Sequence, residues 1–336
     1  MEPAPYDPDL VASRPAYAFL FAVLAVHFTL GSFVQVANPA FGISFDELFV
    51  FAGLTLLAVR AMNFRPTAFL AIRPPAKAAW PPVILAAVAG FFAAGALNAL
   101  NRLLVGPEFA DRFDVTPLFE SLRSPVEMAL LTIGVAILAP IGEELLFRGY
   151  LMRVLGARYG AIGALLATSA LFAAVHLNPA SVIALFALGL VFGLLRLWSG
   201  SILPSMVAHA IQNGTSTVMV FSGLAQQSPD ELAAGSALIL FAIAAPIVVG
   251  ALGWLRGVAR SHERAGAPAA PYPDQPVDPR QGHAIDLARV VRPLTVGALA
   301  AIASIVLLFA IDGAQASRRI ASKTGRSAEP NRSSTP

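Results

Sequence analysis

The chain has 336 residues, 57% of them hydrophobic and 13% charged, with a mean hydropathy of +0.69. A soluble domain carries about a quarter charged residues, so this composition excludes a soluble enzyme and indicates a membrane protein. With no cysteine, disulfides, thiolate nucleophiles and thiolate metal sites are excluded too. The net charge of +3 comes from arginine clusters between apolar runs, an orientation signal rather than a nucleic-acid footprint.

The N-terminal stretch MEPAPYDPDLVASRP is acidic and Pro-rich and lacks the basic n-region of a cleaved signal peptide. The first apolar segment therefore reads as a retained span. A helix needs roughly 20 apolar residues to cross the hydrocarbon core. By that measure spans are expected near 16–37, 43–62, 80–101, 125–152, 161–177, 180–198, 201–222, 235–256 and 293–312. The fold class is all-α, a polytopic transmembrane bundle of about eight to nine spans. It divides into N-terminal membrane helices over 1–124, a four-span core over 125–222, and C-terminal membrane helices over 223–312 with a cytoplasmic loop at 257–292. A disordered tail at 313–336 completes it. Ser44 and Glu47 have the spacing of a capping box opening the second span, which makes Asp46 and Glu47 helix-start carboxylates. His27, alone in the first span, reads as a hydrogen-bonded histidine of the bundle interior.

Basic residues orient the chain. Arg60, Arg65, Arg73 and Lys77 follow the second span, Arg153 and Arg158 the fourth, Arg196 the sixth, and six arginines from Arg256 to Arg292 the eighth. This alternation places the N-terminus in the cytoplasm of a cell whose inner (plasma) membrane holds the protein. Arg318, Arg319 and Lys323 disagree if a ninth span crosses.

The fourth span contains LAPIGEELLFRGY, from Leu138 to Tyr150. Ionisable groups at membrane depth are expensive and point to function. Glu144 and Arg148, four apart, share a helix face and are expected to neutralise each other in a structural pair. Glu143 points about 100° away and is left free for chemistry. Pro140 and Gly142 are expected to kink the helix. Phe172 and His176 form an F-x-x-x-H pair in the fifth span, and His209 and Asn213 an H-x-x-x-N pair in the seventh. If the chain turns at Tyr159–Gly160, Glu143 and His176 both lie roughly 24 Å from the turn, at 1.5 Å per residue. His209 lies about 14 Å in from the Ser199–Gly200 turn, so the three groups share one layer.

E-E-x-x-x-R (Glu143-Glu144-Leu145-Leu146-Phe147-Arg148), then F-x-x-x-H (Phe172 to His176), then H-x-x-x-N (His209 to Asn213) resembles the CAAX prenyl protease and bacteriocin-processing (CPBP, or Abi) intramembrane endopeptidases. The resemblance covers about residues 125–222. It implies peptide-bond hydrolysis within the membrane, with Glu143 and His176 activating water, His209 and Asn213 stabilising the oxyanion, and Glu144 and Arg148 structural. No cofactor is then required. A zinc-dependent version would use Glu143, His176 and His209 as ligands around an open position, although no H-E-x-x-H spacing preorganises them. A reading of another class is a transporter or proton-coupled carrier relaying protons through Glu143, His176 and His209; Asn213, an amide that does not titrate, suits an oxyanion site and not a relay. A catalytically silent scaffold binding partner spans would not need the intact motifs. The expected partners are the lipid bilayer and a membrane-protein or lipid-anchored peptide substrate, with no nucleic acid.

Overall fold

The structure, a computed structural model, describes residues 13–62, 64–120, 122, 124–222 and 234–264. Among these residues there are helices and turns and no strand. Six stretches are long and apolar enough to cross a membrane: Tyr17–Ala37, Pro39–Ala61, Lys77–Val105, Pro125–Val175, Val182–Ser199 and Ala234–His262. The expected eight to nine spans are therefore not reproduced as a count. Pro125–Val175 is 51 residues long and breaks at Gly160 (φ 69°, ψ 173°), a backbone region natural to glycine. The chain folds back there, because Phe147 and Phe172 have ring centroids 5.6 Å apart. A straight helix would separate them by about 37 Å. The expected turn at Tyr159–Gly160 is thus present. Leu203–Phe221 is a further helix of 19 residues that falls outside the six because of its polar side chains. The stretch 293–312, the loop beyond Arg264 and the tail lie outside the described residues.

The second helix starts earlier than expected. Asn38 accepts a hydrogen bond from the Phe41 amide, and Pro39 takes the first helical position, where its missing N–H costs nothing. Ser44 does not cap: its hydroxyl donates to the Leu130 carbonyl. Asp46 and Glu47 consequently stand two turns inside the helix and are buried, which overturns their reading as helix-start carboxylates. The fourth helix opens on a capping box, Ser124 with Glu127. It runs through Pro140 in regular α conformation from Ala139 to Glu144. Its irregularity takes the form of wider, π-type turns on either side, Gly134–Leu138 and Leu145–Leu151, a backbone feature frequent at functional sites.

The buried apolar core gathers around Leu145–Leu151, including Leu146, Phe147, Tyr150 and Leu151, with Phe172 and Phe192 from the neighbouring helices. Close approach is built in at Gly189, where a Cβ would fall 2.9 Å from Ser169. Gln212 donates to the Ala87 carbonyl at 3.0 Å, fastening Leu203–Phe221 to Lys77–Val105.

Candidate active site

Glu143 and Glu144 are buried on the regular turn between the two wide segments. Glu144 and Arg148 pair as expected, Arg148 Nη1 donating to Glu144 Oε1 at 2.8 Å with both side chains fully buried. The pair is not isolated. Arg148 Nη2 donates to the Gly189 carbonyl at 3.1 Å, and its guanidinium lies 4.4 Å from the ring centre of Phe172, a favourable cation–π position. Phe172, the aromatic residue of the F-x-x-x-H pair, thereby roofs the ion pair.

His209 joins the two carboxylates. Its Nδ1 is 3.2 Å from Glu144 Oε1 and its Nε2 is 3.9 Å from Glu143 Oε2. A carboxylate only accepts, so Nδ1 carries a proton and donates it to Glu144. The imidazole plane is held by Phe192, which stacks on it with centroids 4.8 Å apart and 22° between planes. The result is a buried line, Arg148–Glu144–His209–Glu143. Glu144 is therefore more than a structural partner of Arg148, since it also orients His209. Among the described residues Glu143 Oε2 is buried with no hydrogen-bond partner.

His176 ends its helix and is exposed. Its Nδ1 donates to the Phe172 carbonyl at 2.7 Å, which leaves Nε2 as a proton acceptor. No hydrogen bond or ion pair joins it to Glu143 among the described residues, although both sit on facing arms of one hairpin. Leu177, the next residue, has a φ of 47°, a conformation uncommon for a side chain of its size. Asn213 donates from Nδ2 to the Val135 carbonyl at 2.9 Å, in the wide turn before Ala139. One of its two N–H donors is thus committed and the other is available.

The three-ligand metal set is not assembled. Among the described residues no three His, Asp or Glu side chains gather so as to hold a metal ion, and Nδ1 of His176 bonds within its own helix.

Glu47 is the site neighbour that sequence reasoning placed elsewhere. Among the described residues its Oε2 is buried without a hydrogen-bond partner, and it lies 2.7 Å from where a Cβ on Gly142 would stand. Gly142 directly precedes Glu143, and the Glu143 charge acts on Glu47. Beside it, Asp46 accepts from His27 Nδ1 at 2.5 Å and from Gln35 Nε2 at 3.4 Å, so His27 is the hydrogen-bonded histidine expected. The signal for Glu47 was the Asn38–Pro39 cap, which moves the helix start toward the N-terminus and the carboxylates inward.

Residues 125–215 match the family model described as type II CAAX prenyl endopeptidase, Rce1-like. The 125–215 segment is Rce1-like. This agrees with the CPBP/CAAX resemblance carried by the motifs, and every residue of the Arg148–Glu144–His209–Glu143 line, with His176 and Asn213, lies within it. Together with the apolar helices it points to a multi-pass membrane protein. The chain is 40% identical over 102 residues to an uncharacterized 24.3 kDa protein of Escherichia coli, a stretch covering 28% of this chain and 46% of that protein. The chain thus spans about half the length of the curated relative it matches. No solved structure matches. The transporter reading finds no support in these similarities.

Proposed function

We propose that this protein is an intramembrane endopeptidase of the inner membrane, with its N-terminus in the cytoplasm, that hydrolyses a peptide bond of a membrane-protein or lipid-anchored substrate. One observation carries the reading: a single histidine, His209, faces Glu144 with one ring nitrogen and the unpartnered oxygen of Glu143 with the other.

Glu143 is the general base. A water at its Oε2 gives up a proton to the carboxylate as its oxygen bonds to the carbonyl carbon. The carbonyl oxygen becomes an oxyanion, and donors aimed at that oxygen inside a sheltered site act more strongly than in water. His209 supplies one such donor from Nε2 in its imidazolium form, because its Nδ1–H is already committed to Glu144. The remaining N–H of Asn213 supplies another. When the carbon–nitrogen bond breaks, Glu143 returns its proton to the leaving amine. Arg148 keeps Glu144 ionised, and Glu144 keeps His209 in register. His176, with Nε2 as acceptor at the rim, takes part in water activation once a substrate closes over the helix end. No resident metal or cofactor enters these steps.

The experiment is a comparison of membrane-protein fragments from cells expressing the parent or Glu143→Gln, followed by cleavage of a prenylated CAAX-type peptide by the purified protein in vesicles. Cleavage products dependent on Glu143 support the reading. Equal products from the parent and Glu143→Gln overturn it.

A further inference from the structure

One deeply buried cation stands outside the carboxylate line. Arg196, in the last turn of Val182–Ser199, is fully buried, and among the described residues none of its three guanidinium nitrogens has a hydrogen-bond partner. A charge removed from water without partners is strongly disfavoured, so protein interiors pair or hydrogen-bond their cations. The helix C-terminus offsets only part of this cost.

Among the described residues the charged groups acting on Arg196 are themselves cations, Arg153 and Arg73. Arg153 follows the fourth span yet is buried; its Nη1 donates to the Phe69 carbonyl at 3.4 Å, with the guanidinium 5.2 Å from the ring centre of that residue. Arg73 comes from the connection between the second and third helices and is half-buried. Its Nε donates to the Gly200 carbonyl at 2.8 Å, and its own carbonyl accepts from the Ser201 hydroxyl. The Ile202 amide donates to the Ala71 carbonyl at 3.2 Å. These bonds clamp the connection onto the turn that follows Arg196. Two further arginines, from two other elements, thus act on Arg196 at one end of the bundle.

We propose that Arg196, with Arg153 and Arg73, forms a buried binding site for a phosphate-type oxyanion. The planar guanidinium presents its N–H groups in a fork that matches phosphate oxygens. A tetrahedral oxyanion takes donors from several directions, as three arginines on three elements require. Half-buried Arg73 is the most exposed of the three. The phosphate of an anionic lipid headgroup and free inorganic phosphate meet the same donors there.

The test uses the purified full chain and its thermal unfolding midpoint. In one arm, inorganic phosphate is titrated against chloride at equal ionic strength in neutral detergent. In the other, nanodiscs of phosphatidylcholine are compared with nanodiscs containing phosphatidylglycerol. A saturable rise in the midpoint in either arm is expected; the phosphate arm identifies a free anion and the lipid arm a headgroup. Arg196→Gln should weaken the response by about tenfold or more in concentration, the value of a lost charge-assisted hydrogen bond. Arg260→Gln, on the exposed end of the last helix, should keep it. If Arg196→Gln does not accumulate, Arg73→Gln reads the same weakening. No rise in either arm, or a rise kept in full by the Arg196 or Arg73 variant, overturns the site.

Discussion

The Nδ1 atom of His209 lies 3.2 Å from Oε1 of Glu144, although the two residues are 65 positions apart in the chain. This contact turns an ion pair local to one helix into a device that sets the orientation of a histidine on another.

The pair should therefore be indispensable to the fold. Removing one partner of a buried ion pair costs about 3–5 kcal/mol, because the other charge is left uncompensated. Arg148→Ala is expected to lower the thermal midpoint sharply or to abolish accumulation. Arg148→Lys should rescue only in part, since an ammonium cannot reach both the Glu144 carboxylate and the Gly189 carbonyl as the forked group does. An Arg148→Ala protein as stable as the parent would show that the pair is dispensable.

The chemistry separates two kinds of loss. Glu143→Gln keeps the shape of the side chain and removes the proton acceptor, so cleavage should vanish while the midpoint stays near that of the parent. Asn213→Ala removes one oxyanion donor, which is typically worth about 10²–10³ in rate. It should leave measurable turnover in a single-turnover assay. A fully active Asn213→Ala would take that residue out of the oxyanion site.

Gly142 offers a steric test of the neighbour that sequence analysis misplaced. A methyl group there would stand 2.7 Å from both the backbone oxygen and Oε2 of Glu47. Overpacking of this kind costs about 1–3 kcal/mol, so Gly142→Ala should lower the midpoint and also displace Glu143. Activity lost beyond the stability change, measured well below the midpoint, is the expected signature. A neutral Gly142→Ala would mean that the second helix yields easily.

Orientation is open to direct labelling because the chain has no native cysteine. With the N-terminus in the cytoplasm, Glu108→Cys should react with an impermeant maleimide added to intact spheroplasts, and Ser261→Cys should react only after permeabilisation. The opposite pattern would invert the bundle.

The geometry of the site was legible in the sequence wherever spacing on one helix decides the outcome. Glu144 and Arg148 meet because four residues make a turn, and the Gly160 break lies where the two arms balance. What was not legible depends on rotation about helix axes. Equal depth for Glu143 and His176 follows from counting residues, but counting says nothing about azimuth, and the His176 ring turns onto the Phe172 carbonyl instead. Glu47 was misplaced because Ser44-x-x-Glu47 and Asn38-Pro39 compete as helix starts, and only tertiary packing chooses between them. Arg153 lies just past the expected end of the fourth span, yet it is buried against the ring of Phe69.

The break at Gly160 also bears on biosynthesis. The arm carrying the carboxylates and the arm carrying His176 are joined by a single glycine, so they are suited to enter the bilayer together as a helical hairpin. Glu144 and Arg148, four residues apart on the first arm, can neutralise each other before any later span has emerged from the ribosome. These two buried charges would then cross into lipid already paired. His209 completes the site only when the later helix arrives, so a chain arrested before residue 203 would be membrane-integrated and inert.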